Sequence, residues 1–478
     1  MRVGAEMVEC DVLVIVVIAV GGIYWWLKRR LSVWKRRGIA HVKPRLLMGN
    51  LRKKHHIALA IAESYTKLSV KAQLGGFYYL QRAAILPLDA RLAGNILTEP
   101  HFAMDSPSES WDYYSHKRDF VVIDSMWKSI WNRALDIACD FSTNLENVNG
   151  QKIDAFDASL GYNVKFIANC FLGMSLKGPK LDNLEKLARK HLQLSGKRHK
   201  QYLFQQTFPQ MASLFGISSM DDILKSFEKL IIEQTRADLS DKRYQKLIKI
   251  VGQPNGQRLS KKIDSKEITR RAFGLFIAGI ETSVATTAFC MYELAKSQDI
   301  QSMLRREITD ILPKSQHITY QSLAHLKYMD AVIFETLRKY PPIGSTWRIT
   351  SKEYYVPNST YIIEEGMPVV VPIYAIHHDP RYHVNPEKFD PERFLNGDSD
   401  GIAEGTFMPF GRRDAISIEM HFTIMQIKLM LVSLLKEFRI THGEPLPDAL
   451  AINPKSPTLT PKNRIWLSVH KLGDSAEI

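Results

Sequence analysis

Sixteen consecutive residues without a charge, 12–27, dominate the hydrophobic pattern at the start of this chain. As a helix they span roughly 24 Å, slightly less than a bilayer core, at about 1.5 Å per residue. Tyr24, Trp25 and Trp26 stand where an interfacial aromatic belt would, and Lys28, Arg29 and Arg30 follow at once. Acids precede the run and bases follow it, the reverse of a cleaved signal peptide. The pattern predicts a signal anchor over residues 1–30 that keeps the following chain in the cytosol.

Beyond the anchor the apolar spacing is mostly helical. Residues 164–174, 181–194 and 221–237 repeat at three to four, as do 268–297, 330–340 and 418–438. Pro341 and Pro342 stop the helix before them. Short strand patterns follow at Tyr361, Ile362 and Ile363 and at Val369, Val370 and Val371. Residues 239–268 are polar and read as a surface connection. Residues 377–411, rich in Pro, Asp, Gly and Asn, form an irregular stretch long enough to suggest function.

Charge sharpens the picture at one place. Residues 28–54 hold eleven Lys and Arg and no acid, within a chain of 478 residues and formal charge +14. One local basic block beside an apolar run is a membrane-surface feature, not a nucleic-acid face. It reads as a basic linker, 31–54, ahead of a globular body, 55–478. Composition excludes a disordered or disulfide-scaffold protein. Cys10, Cys139, Cys170 and Cys290 have no metal-pair or redox-pair spacing and fit a reducing compartment.

Three signals carry candidate chemistry. Glu335 and Arg338 lie at i and i+3 on one helix face, a spacing that usually gives a solvated pair. Ala278-Gly279-Ile280-Glu281-Thr282 puts small and polar residues inside an apolar helix, where a ligand can approach the backbone or another helix can pack. Phe407-Met408-Pro409-Phe410-Gly411 closes the irregular stretch and leads into a helix.

In this order and spacing the three signals resemble the cytochrome P450 family of haem-thiolate monooxygenases, in particular insect microsomal members. Pro391-Glu392-Arg393-Phe394, Ile376-His377-His378-Asp379-Pro380 and the segment from Arg36 to Pro44 fit the same pattern. The resemblance implies a mainly α fold with small β-sheets, one large domain behind the anchor. It implies haem, with Trp127, Lys128, Arg348 and Phe410 as cofactor-binding residues. Glu281 and Thr282 take the place of the family's proton relay. Arg393 joins Glu335 and Arg338 in a buried network, and regions 101–119 and 457–461 line a pocket for small hydrophobic compounds. The implied partners are the endoplasmic reticulum membrane, with the body facing the cytosol, and an NADPH-cytochrome reductase.

The chain departs from the family at the haem-ligand loop. The family reads Phe-Gly-x-Gly-x-Arg-x-Cys-x-Gly; residues 410–419 read Phe-Gly-Arg-Arg-Asp-Ala-Ile-Ser-Ile-Glu. Ser417 occupies the axial metal-ligand position, and a neutral hydroxyl lacks the electron push of a thiolate. Arg413 replaces a turn glycine, which costs about 1–2 kcal/mol if the position needs positive φ. Ala415 removes a propionate partner worth roughly 1.5–3 kcal/mol. Glu419 replaces a glycine that lets the next helix approach the ring. Trp131 stands where a second propionate arginine is expected, with Arg133 two residues on. His421, one turn past Ser417, is a substitute ligand on chemistry, although the matching family position points away from the iron. Two functional readings follow: a membrane-anchored monooxygenase of xenobiotics, hormones or lipids with lost or altered activity, and a non-catalytic haem-, lipid- or reductase-binding protein.

Overall fold

The structure is a computed structural model that describes residues 2–104, 120–174, 176–194, 196–235, 265–313, 317–395, 405–411, 418–445 and 449–473. Most of the expected polar connection 239–268, most of the expected pocket region 101–119, and residues 412–417 with Ser417 lie outside them, while 265–268 open the helix Ser265–Lys296 and not a connection.

The fold is mainly α with small sheets, in one domain behind an N-terminal helix, Arg2–Arg30, whose residues 15–26 are exposed. In chain order the strands are β1 (Leu74–Tyr79), β2 (Arg82–Pro87), β3 (Phe102–Met104), β4 (Lys152–Asp154), β5 (Thr346–Thr350), β6 (Tyr354–Tyr355), β7 (Ile362–Ile363), β8 (Pro368–Val371), β9 (Phe438–His442) and β10 (Trp466–Lys471). They form a five-stranded sheet β1-β2-β8-β5-β3, a three-stranded sheet β4-β10-β9 and the pair β6-β7. In the large sheet β2 and β8 run parallel, with Ile85 opposite Val369, and its other neighbours run antiparallel.

Residues 31–54, expected as a linker, instead pack on the first sheet. Trp34 is fully buried and its Nε1 donates to the Phe77 carbonyl at 3.2 Å. A Cβ on Gly76 would sit 2.3 Å from the Trp34 ring, so glycine there is what lets the indole lie on β1. Apolar burial therefore outweighs the basic composition of this segment, whose charges stay at the surface.

The main core joins Phe120–Asn147, Ala155–Phe166, Ser265–Lys296, Lys327–Lys339 and Ile418–Leu435. Within the long central helix, Ala272–Lys296 is apolar enough to cross a membrane, but 83% of its most apolar 18-residue stretch is buried in protein. It is the core helix, and several of its buried hydroxyls are satisfied by the helix itself. Ser283, Thr286 and Thr287 each donate to the carbonyl four residues back at 2.6–2.7 Å. Gly279 has a packing role: a Cβ there would lie 2.8 Å from Ile167, at the start of the wider π-helical turns Ile167–Phe171.

Candidate functional site

Glu335 and Arg338 are fully buried on helix Lys327–Lys339. Arg338 donates to both Glu335 oxygens, at 2.7 and 2.8 Å, and to the carbonyls of His377 and Pro386 at 2.8 and 2.7 Å. The Asp390 amide donates to Glu335 at 3.0 Å. Arg393 lies 3.5 Å from Glu335, close enough for charge attraction, although its Nε makes no hydrogen bond. The pair is thus an interior clamp with its lone pairs and protons used, the condition under which a buried ion pair is tolerated.

His377 extends this clamp to the Phe407–Gly411 turn. Its Nε2 accepts the Met408 amide at 2.9 Å, and its Nδ1 meets the Arg338 carbonyl at 3.1 Å. That assigns the proton to Nδ1, in a neutral imidazole. Burial drives the His377 pKa well below the usual histidine range, in keeping with this state. The imidazole also stacks on Phe407, centroids 5.5 Å apart. Gly411 ends the turn at φ +87°, with Arg348 Nη2 beside it and Phe410 half-buried against the main core.

On the central helix the two expected relay residues point to different partners. Thr282 donates back toward Ala278 at 3.1 Å and also meets the Thr423 hydroxyl, 3.2 Å away on helix Ile418–Leu435. Glu281 is buried against His191 of helix Pro179–Leu192, with Nε2 to Oε1 at 2.6 Å.

Trp127 is fully buried and stacks on Phe422, centroids 4.4 Å apart and planes 22° apart. Phe166 and Phe171 pack on Phe422 as well. Trp127 Nε1 has no hydrogen-bond partner. Lys128 is exposed, Trp131 Nε1 donates to the Ile318 carbonyl at 3.3 Å, and Arg133 donates to that of Asn169 at 3.1 Å. Arg133 is therefore engaged away from the propionate role considered for it. Arg348 donates to Thr346 Oγ1 at 2.7 Å and to the Trp347 carbonyl at 2.9 Å. His421 Nε2 pairs with the Tyr320 hydroxyl at 2.7 Å, so this nitrogen is committed to a neighbouring helix and not offered as a metal ligand.

The fit to haem is divided. Trp127 Nε1 is an orphaned buried donor suited to a carboxylate, and Arg348 lies beside the turn. A flat ring, however, needs van der Waals contact on both faces, a gap of roughly 7 Å. The resemblance puts that ring between the central helix and the loop feeding Ile418–Leu435, where Thr282 and Thr423 are already hydrogen-bonded. With a serine, Ser417, at the axial position that the resemblance assigns, the residues present do not fit a haem-thiolate centre.

Three participants were not assigned from the sequence: His377, His191 and Thr423. His377 stood inside a quoted motif without a role. His191 is one histidine on an amphipathic helix, with no local signal of its distant partner. Thr423 follows the ligand loop as one polar residue in an apolar helix, a signal that was available.

Comparison with known proteins agrees with the geometry of the core. The family model described as Cytochrome P450 matches residues 116–467. Similar curated relatives include cytochrome P450 6a8 of Drosophila melanogaster, 30% identical across 93% of this chain and 96% of the relative. Cytochrome P450 6A1 of Musca domestica is 29% identical across 94% and 95%, and cytochrome P450 6j1 of Blattella germanica 29% across 95% and 96%.

Proposed function

The chain belongs to the cytochrome P450 family, and from that premise we propose that it is a membrane-bound member that binds small hydrophobic compounds without haem-thiolate monooxygenase turnover. Ser417 at the axial position carries the reading. A serine hydroxyl stays neutral near pH 7 and does not supply the anionic, strongly donating sulfur that O–O cleavage uses. The direct Thr282–Thr423 contact supports it, because a ring between these helices requires that contact to open. Among the described residues Cys139 is exposed and Cys170 and Cys290 are buried in the core, and none lies in the ligand loop.

The membrane part rests on exposed apolar surface. Residues 15–26 of the first helix are exposed, and Arg29 and Arg30 stack over Trp25 and Trp26 at 5.2 and 5.0 Å. Arg30 also reaches the Phe208 ring at 5.8 Å, and Met211, Leu214 and Phe215 nearby are exposed. A helix end and a second apolar patch so joined favour seating on one lipid surface. The basic block lies on the cytosolic side, and the likeness to insect family members favours the endoplasmic reticulum membrane as that surface.

A second reading is favoured by Trp127 Nε1: haem held through its carboxylates without a thiolate. Only under this reading does electron supply from an NADPH-cytochrome reductase have a use. The carbon monoxide difference spectrum of the reduced, membrane-bound protein separates the cases. Absence of a haem band is expected. A haem band without the red shift of a thiolate selects the second reading. A red-shifted Soret band overturns both.

A further inference from the structure

Trp131 stands where the resemblance expects a propionate arginine. It lies four residues after Trp127 on helix Phe120–Asn147, so the two indoles share one face. Their centroids are 6.0 Å apart with planes at 64°, and Trp131 meets Tyr320 edge to face at 6.1 Å and 80°. Its Nε1 donates to the Ile318 carbonyl at 3.3 Å. Where a cation would need an anionic partner, this position supplies a ring whose indole N–H is already paired within the protein.

Further elements lock onto that pair. Tyr320, on the short helix Tyr320–Ala324, stacks on Trp127 at 5.8 Å and 26°, and its hydroxyl pairs with His421 Nε2 at 2.7 Å. Phe422, beside His421 on helix Ile418–Leu435, stacks on Trp127 at 4.4 Å. Phe166, at the end of helix Ala155–Phe166, reaches Trp127 at 6.3 Å and Phe422 at 5.9 Å. Tyr162 carries the chain of rings from Phe166, at 5.9 Å, to Phe141, at 5.3 Å, and so back to helix Phe120–Asn147. Thr423 adds the tie to Thr282 of the central helix.

A core that depends on a bound ring is finished by contacts to that ring, because an unfilled cavity is costly in a close-packed interior. Here side chains join the same elements. Offset and edge-to-face rings within about 7 Å attract one another beyond the area they bury. Ala415 and Ser417 give up contacts to haem, while Trp131 gives the protein a contact with itself. The substitutions thus act in one direction.

We infer that this chain folds and stays folded without haem, the cluster of Trp127, Trp131, Tyr320 and Phe422 holding the helix that follows the ligand loop in place. Trp131 is the residue that completes the cluster. The inference goes beyond the functional reading above, which concerns turnover and not folding.

The test is expression of the full chain in a δ-aminolevulinate auxotroph, with and without δ-aminolevulinate. The protein from each culture is placed in phospholipid nanodiscs and unfolded in urea, followed by tryptophan fluorescence. A protein that binds haem only when folded gains about a hundredfold in its folding constant when haem stands at about a hundred times its dissociation constant. Equal yield and equal midpoint are expected from both cultures, with no rise on addition of haemin. Loss of folded protein in the starved culture, or a midpoint raised by haem, overturns the inference. Trp131→Arg removes two ring contacts and should lower the folding constant about tenfold or more, with haem or without it. An unchanged or raised midpoint overturns the role of Trp131. Should Trp131→Arg fail to fold, Trp131→Phe and Trp131→Leu separate ring from bulk: the phenyl variant should keep the higher midpoint, and equal midpoints overturn the cluster. A red-shifted Soret band in the supplied culture would overturn the functional reading and leave haem-free folding standing. Folding that requires haem, without a thiolate spectrum, would do the reverse.

Discussion

Arg338→Ala removes the centre of the interior clamp. The wild-type guanidinium, with no exposure, satisfies both oxygens of Glu335 and the carbonyls of His377 and Pro386. Truncation leaves Glu335 with the Asp390 amide and the Arg393 guanidinium at 3.5 Å, which makes no hydrogen bond through Nε, as compensation. Stranding one partner of a buried pair costs about 3–5 kcal/mol. The two carbonyls that lose a donor place the expectation toward the upper end, at about 1–3 kcal/mol for each group left unsatisfied. Urea denaturation of the full chain in nanodiscs, followed by tryptophan fluorescence, reads the loss as a lower midpoint. Replacing both partners, Glu335→Leu with Arg338→Met, should cost less than the two single changes summed, because neither fully buried charge is left without the other. A loss under about 1 kcal/mol for Arg338→Ala, or strict additivity in the double variant, would falsify the claim that the clamp is buried and coupled, since exposed pairs behave that way.

Other perturbations test separate parts of the account. Deleting residues 1–30 should release much of the protein from membranes, with a salt-sensitive remainder held by the basic residues near Arg36 and Arg52; glycan addition to a tag after Ile478 would reverse the assigned orientation. Burial lowers the pKa of His56 and His383 to about 4, so the unfolded chain binds more protons than the folded one between about pH 6.5 and 4. Stability should be complete above pH 6.5 and fall by on the order of 3 kcal/mol per histidine as the pH drops through that window; a flat denaturation midpoint from pH 7 to 4 contradicts it. Ser417→Cys alone should restore little thiolate-haem spectrum, and Arg413→Gly, Ala415→Arg, Ser417→Cys and Glu419→Gly together should restore more, with Thr423→Ala adding to the gain by removing the contact to Thr282. A full spectrum from the single change would mean that only the ligand had been lost.

How much of this was legible in the sequence depends on the range over which each feature is encoded. Helices with one apolar face announce themselves locally: the pattern at 221–237 became Asp221–Thr235, and that at 330–340 became Lys327–Lys339. The pattern at 164–174 straddles a change from α to π turns, set by close packing of Ile167 against Gly279 more than a hundred residues later. β1 is buried on both faces, so it shows no alternation, and its Gly75-Gly76 pair reads as a turn until Trp34 is seen lying on it. Glu335 and Arg338 were found through spacing and resemblance. The His191–Glu281 and Thr282–Thr423 pairs join residues 90 and 141 positions apart, which no local pattern specifies.

The same distinction explains how the core of a P450 can stand beside so altered a ligand loop. The clamp of Glu335, Arg338 and His377 draws its donors and acceptors from within the protein: one helix, the 377–390 segment and the Met408 amide. None of those bonds passes through residues 412–417, so substitutions there leave the clamp intact. The family's glycines, arginine and cysteine in that loop answer to a cofactor, and without it each position is free to follow ordinary packing and solubility. Trp127 bridges the two regimes. Its ring is fixed by Phe422, Trp131 and Tyr320, whereas its Nε1 still lacks an acceptor. A donor held so firmly by packing costs less to leave unpaired than to reorganise, because replacing the indole would open a large cavity at about 3–5 kcal/mol against about 1–3 kcal/mol for one unsatisfied group. Under the proposed function, packing energy preserves this part of a cofactor site where the chemistry that called for it is lost.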